Sequence, residues 1–120
     1  MIYEITPVPK PRQTQSDRWN KRPRVMRYRA FAEECRLKGV TVENGDSIKF
    51  FMPMPKSWSN VNKSIMTGAA HKQKPDLDNL LKALMDAVLK EDCIIHKITS
   101  IEKVWAVKGA IEIIRDEKVN

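Results

Sequence analysis

The segment between Pro75 and Lys90 constrains this chain more than any other. Apolar residues recur there at Leu77, Leu81, Leu84 and Val88, spaced four, three and four apart. That is the repeat of one helix face, and it predicts a helix over residues 77–90. A helix with one apolar stripe must bury it against a sheet or a second helix. The rest of the chain has to supply that surface.

Residues 2–6 alternate apolar and polar like a short strand, and Pro7, Pro9 and Pro11 stop it. Residues 12–23 form an arginine-rich loop closed by Pro23. A second helix is predicted over 24–38, with Val25, Tyr28, Ala32 and Cys35 on one face and Gly39 just past its end. Asn44-Gly45-Asp46 marks a turn, and 47–54 a strand ended by Pro53 and Pro55. Ser57 or Ser59 is placed to cap a short helix carrying Val61, Ile65 and Met66, with Gly68 ending it. Residues 69–75 form a basic polar loop, in which His71 is placed to touch phosphate. Residues 94–107 are mostly β-like through Ile98, Ile101, Val104 and Trp105, and His96 sits on a strand surface. A tight turn at Lys108-Gly109 leads to a final strand over 110–114, so the last two strands are expected to form a hairpin. Residues 115–120 read as a frayed charged tail. The order β-α-β-α-α-β-β predicts one mixed α+β (α/β) domain over 1–120, a small mixed sheet with helices packed on it.

A hydrophobic fraction of 42% is enough for a core. No apolar run approaches the roughly 18 residues of a membrane span. The opening MIYEITPVPKPR has no apolar stretch of the secretory kind. Cys35 and Cys93 make neither a CxxC pair nor a zinc spacing. Two isolated cysteines point to free thiols in a reducing, cytoplasmic setting.

The net charge of +7 is lopsided. Residues 1–38 carry ten Lys and Arg against four Asp and Glu, so nearly the whole surplus lies in the first third of the chain. Most of the ten are arginines, which suit bidentate phosphate contacts. A field of this kind attracts polyanions, nucleic acid first. Trp19 and Tyr28, interleaved with the cations, suit stacking on bases. Charge alone also fits a solvated basic face.

The stretch KQKPDLDNLLKALMD, from Lys72 to Asp86, carries the chemistry. Asp76 and Asp78 lie two residues apart at the predicted helix entrance, and Lys82 follows Asp78 by one turn. Magnesium is commonly held by one or two carboxylates, with waters and phosphate oxygens completing its shell. Two aspartates flanked by cations therefore fit a divalent ion that meets a phosphodiester, polarises phosphorus and supplies the nucleophile. Aspartates at a helix start are also ordinary capping chemistry, so spacing leaves both readings open. Other motifs fail. An EF-hand loop from Asp76 would need glycine where Leu81 stands, no phosphate-cradling glycine loop is present, and His71 and His96 form no metal pair.

MPMPKSWS, then HKQKPDLDNLLKALMDAV, then Glu91-Asp92 and the late IEKVWA resemble the RusA-type Holliday-junction resolvases, small endonucleases common in phages and prophages. The resemblance is strongest over residues 50–106, with PKPR and its arginine-rich loop a looser match. It implies a Mg²⁺-dependent homodimer, with Mn²⁺ as a substitute, that nicks two opposed strands of a four-way DNA junction. By the same resemblance Asp76, Asp78, Lys82 and Asp92 are catalytic, the three aspartates hold the metal, and Lys82 stabilises developing charge or orients water. Arg12, Arg18, Arg22, Arg24, Arg27, Lys72 and Lys74 would grip phosphates. Alternatives are a basic DNA-binding phage accessory protein without catalysis and a nuclease for other branched DNA. The chain departs from the family after the helix: the link to the pair of acids is short, and Cys93 and Ile94 follow Glu91-Asp92 where a glutamine is usual.

The third acid poses a geometric problem. Asp86 lies about 12 Å along the predicted helix from Asp78, and Asp92 about 20 Å if the helix runs to Lys90. Neither reaches an ion held at roughly 2.1 Å by its ligands. Either the chain folds back after the helix, or two subunits pair so that Asp92 of one completes the site of the other. The second arrangement is the one expected.

Overall fold

The computed structural model describes residues 1–11 and 23–115. Its elements run β1 (Ile2–Tyr3), α1 (Pro23–Leu37), β2 (Ser47–Pro53), α2 (Asn60–Met66), α3 (Leu77–Val88), a 3₁₀ turn (Asp92–Ile94), β3 (Ser100–Ala106) and β4 (Ala110–Ile114). The β-α-β-α-α-β-β order is as expected. The loop of 12–22, with Arg12, Arg18, Trp19 and Arg22, lies outside the described residues, as does the tail 116–120.

The sheet order is β1-β4-β2-β3. β2 is parallel to β3 and antiparallel to β4, with Met52 opposite Trp105 on one side and Phe50 opposite Ile111 on the other. The expected hairpin is therefore absent. β3 and β4 follow each other in sequence but flank β2, and the three residues between them cross its end. The reason lies in β2 itself. Ile48, Phe50 and Met52 are buried, and a strand this deep must pair the N–H and C=O groups on both its edges. Crossing two strand spacings requires roughly 10 Å, which the linker spans. Gly109 serves close approach rather than turn geometry: a Cβ there would lie 2.5 Å from the Thr6 hydroxyl oxygen and 2.7 Å from Thr6 Cα.

α1 and α3 cover the sheet face that carries Ile48, Phe50 and Ile111. Phe31, Ala32 and Cys35 of α1 meet Leu80, Ala83, Leu84 and Ala87 of α3 in one core. The two helices run in the same direction. The Tyr28 hydroxyl donates to the Ala83 carbonyl at 3.4 Å, and Arg36 Nε donates to the Ala87 carbonyl at 3.2 Å. The predicted stripes are each rotated slightly. On α3, Leu80, Ala83 and Ala87 are buried with Leu84, while Leu77, Leu81 and Val88 flank the core. On α1, Phe31 takes the depth expected of Tyr28, which is half-buried because its hydroxyl reaches the helix edge. Gly39 closes α1 with φ +70°, as its position predicted.

Other expectations are corrected. β1 is only Ile2–Tyr3, because only these residues pair with β4 while Ile5 turns into the core. α3 stops at Val88, two residues early, where Leu89 becomes extended. The β-like run of 94–107 is a strand only over Ser100–Ala106, and His96 lies in the loop before it. Asn44 holds that loop, its side-chain carbonyl accepting from the His96 amide at 2.7 Å. α2 has its Ser59 cap, donated to by the Asn62 amide at 3.1 Å. Yet α2 buries nothing, and Val61 and Ile65 face solvent.

Arg115 is not frayed. Its guanidinium grips Asp46 bidentately at 2.9 Å on both carboxylate oxygens, and Asp46 is wholly buried. Burial alone would raise the Asp46 pKa, but the Arg115 fork and the Glu43 amide outweigh it and hold the carboxyl below its usual range. The folded-state pKa is depressed, so the pair stabilises above the unfolded carboxyl value of about 4 and this contribution fades as acid protonates Asp46. Arg115→Met is expected to cost about 2–3 kcal/mol at pH 7, on the low side for breaking a buried pair because Arg115 keeps a third of its side chain in water. Chemical denaturation should show this difference shrinking as pH falls below about 4.

Candidate functional site

The chain enters α3 along the edge of the sheet. The Gly68 amide donates to the Trp105 carbonyl at 2.9 Å, the Trp105 amide to the Ala69 carbonyl at 2.9 Å, and the His71 amide to the Lys103 carbonyl at 3.0 Å. What the sequence presents as a basic polar loop is thus zipped onto β3. His71 is buried, with its ring centroid 4.2 Å from that of Trp105, and Trp58 packs on Trp105 at 4.8 Å. This corrects the reading of His71 as a loop residue placed to touch phosphate. Its Nδ1 has no partner among the described residues. Burial first, and the Lys103 charge second, lower its pKa and favour the neutral imidazole.

Asp76 then occupies the N-cap of α3. Its carbonyl accepts from the Asn79 and Leu80 amides at 3.1 Å each, which starts the helix. Its carboxylate makes no capping hydrogen bond. The side chain is largely exposed, with Lys74 at 3.5 Å, an open pair that solvent weakens. Asp78 follows in the first turn, also exposed. The capping explanation for Asp76 therefore lacks the bond that defines it. Two exposed carboxylates two residues apart match the donor set that magnesium takes from a protein.

Lys82 and Asp86 continue the solvent face of α3. Asp86 pairs with Lys10 at 3.2 Å and more loosely with Lys82 at 3.8 Å. Lys10 also lies over the Tyr28 ring, 4.5 Å from its centroid. Asp86 is thereby taken up by structure, while the Lys82 ammonium stays exposed, one turn from Asp78. The role of Lys10 in this arrangement was not foreseen; only its place in PKPR hinted at it.

Because α1 and α3 start at the same end, the first turns of both helices lie together. Arg24 and Arg27 of α1, with Val8, Pro9, Lys10 and Pro11, line a cavity of about 250 Å³ that reaches Asn79, the neighbour of Asp78. Cations expected to hold phosphate thus line a cavity shared with the first turn of α3. Two aligned helix N-termini add partial positive charge at the same place. Lys72 and Lys74 are exposed in the entering loop.

Asp92 is elsewhere. The 12 residues of α3 span about 18 Å. Past it, the Ile94 carbonyl accepts from the Asn44 side chain at 3.2 Å and the Lys97 carbonyl from the Gly45 amide at 2.8 Å, just before β2 begins. Among the described residues no three His, Cys, Asp or Glu side chains gather as a metal site. One chain brings together Asp76, Asp78 and Lys82, and leaves Asp92 beyond the opposite end of α3.

A family model described as endodeoxyribonuclease RusA matches residues 4–114. No curated protein and no solved structure matches the chain. Among the described residues, no helix is long and apolar enough to cross a membrane.

If the Asp76 carboxylate contributes no cap, Asp76→Ala should cost less than about 0.5 kcal/mol of unfolding free energy in moderate salt, against about 1 kcal/mol for a working cap. Urea denaturation decides between the two.

Proposed function

We propose a function for this site from one premise: the chain belongs to the RusA family of endodeoxyribonucleases, Holliday-junction resolvases that hydrolyse phosphodiester bonds. On this reading Asp76 and Asp78 hold Mg²⁺, with Mn²⁺ able to replace it, and the chain nicks two opposed strands of a four-way DNA junction as a homodimer in a bacterial cytoplasm. The observation that carries the reading is the uncapped, exposed Asp76 carboxylate beside Asp78, at the helix end where Arg24 and Arg27 converge.

Each residue then has a part. Asp76 and Asp78 provide the carboxylate oxygens. The ion, when bound, supplies Lewis acidity at the scissile phosphate. Carboxylates repel a phosphodiester unless a cation lies between, so these acids make no sense for DNA binding alone. Lys82 brings an exposed ammonium to the charge that develops on the phosphate oxygens. Arg24, Arg27, Lys72 and Lys74 hold flanking phosphates and set the strand's register.

Asp92 joins from a second subunit. Its distance along α3 from Asp78 makes a shared site the simpler arrangement, since paired subunits can set the end of one α3 against the start of the other. An isologous dimer then offers two identical sites, as two symmetric nicks require.

Asp78→Asn removes one ligand charge and keeps the shape. A labelled four-way junction should still be bound, while Mg²⁺-dependent cleavage falls by orders of magnitude and EDTA abolishes cleavage by the wild type. Normal cleavage by Asp78→Asn would show that the site is misassigned, and cleavage of flaps in preference to junctions would redirect the substrate.

A mixed dimer tests the sharing. One chain carries Asp78→Asn and the other Asp92→Asn, each inactive alone. With shared sites both lesions fall in one site, the other is intact, and single-strand nicking returns. A dead mixture with proven subunit exchange would place Asp92 in its own chain's site.

A further inference from the structure

Lys103 stands at a core-facing position of β3, opposite Phe50 in the parallel register and between Ile101 and Trp105 on the same face. An apolar residue is the ordinary occupant of such a place. Its ammonium instead donates to the Gln73 carbonyl and to the Pro75 carbonyl, the latter at 2.6 Å. Its own backbone carbonyl accepts from the His71 amide at 3.0 Å. One residue of the sheet thus grips the entering loop at 71, 73 and 75. No carboxylate among the described residues pairs with this lysine.

The next residue after the last grip is Asp76. Its backbone leads directly into α3, and Asp78 lies in the first turn. The loop has few other ties of its own. Pro75 has no amide to donate, and the Gln73 and Pro75 carbonyls belong to neither helix nor sheet. A charged donor with three protons, reaching from a rigid strand, supplies what the local backbone lacks.

We infer that Lys103 is a positioning residue of the hydrolytic site, holding the loop of residues 71–75 so that the Asp76 and Asp78 carboxylates are set to take a divalent cation together. This rests on the metal reading of those two aspartates. Lys103 touches neither ion nor DNA; it acts through the Pro75 carbonyl on the residue that follows. Supporting groups behind metal ligands typically change affinity or activity by about 10–100-fold when removed.

The test uses Mn²⁺ alone as the probe, titrated without DNA and followed by the electron spin resonance of the free ion. Lys103→Met should bind Mn²⁺ at least about tenfold more weakly, within the range such supporting groups command. Amide exchange over residues 71–76 should quicken, and single-turnover junction cleavage should slow while junction affinity in EDTA stays the same. Lys103→Arg, which can still donate to both carbonyls, should restore most of the loss. A folded Lys103→Met with wild-type Mn²⁺ affinity and wild-type exchange would overturn the inference. If Lys103→Met does not fold, the wild type decides by NMR: a Lys103 ammonium signal protected from exchange supports the grip, and one averaged with solvent refutes it. Asp78→Asn is titrated in parallel. If it too binds Mn²⁺ normally, the metal reading has failed; if it loses Mn²⁺ while Lys103→Met keeps it, only the positioning role has.

Discussion

Burial of α3 against α1 and the sheet is the interaction on which the rest of the molecule depends. Leu80, Ala83 and Leu84 are essentially inaccessible to water, and Phe50 and Ile111 meet them from the sheet. Removing that apolar surface from water fixes the rotation of α3 about its axis. Once the rotation is fixed, Asp78, Lys82 and Asp86 are carried to the solvent side. The small side chains Ala83 and Ala87 let α1 approach closely, and Tyr28 and Arg36 reach α3 carbonyls along the seam. The same packing that makes the core therefore aligns the two helix starts.

That alignment produces an electrostatic contrast over a short distance. Arg24 and Arg27 stand beside Asn79, and the two aspartates come just before it at the start of the same helix. Positive charge of this kind attracts a phosphate backbone, and on the proposed reading the acids would hold a divalent cation against one phosphate. Asp86 sits apart from this, held by Lys10 at 3.2 Å. Of the acids at this helix, then, Asp86 is bound into structure while Asp76 and Asp78 stay exposed. The division follows from which of them has a partly buried cation within reach.

Much of the fold was legible because it follows local periodicity. The stripe on α3, the Gly39 stop, the Ser59 cap and the turn before β2 are all determined by neighbours in sequence. The same is true of Asp76, Asp78 and Lys82, whose spacing on one helix start is independent of the rest of the chain. The errors concern distant partners. The turn around Lys108 was read correctly as a change of direction, yet β4 pairs with β2, because β2 lies too deep to leave an edge unpaired. His71 looked like a polar loop residue, and only Trp105, 34 positions away, makes it a buried one. Arg115 looked like tail until Asp46 was placed beside it.

The sequence by itself determined most of the helices and strands, which face of each helix in the core is apolar, and how Asp76, Asp78 and Lys82 are spaced at one helix start. These depend on side-chain spacing of three to four or of two residues, a property of a single segment. Tertiary structure alone decided the strand order, the parallel run of α1 and α3, the grip of Lys103 on the loop before Asp76, and the separation of Asp92 from the other two aspartates. Each of these is a choice among partners far apart in the chain. It is settled by burying the most apolar surface while leaving no backbone group unpaired, and that balance exists only when the whole core is assembled.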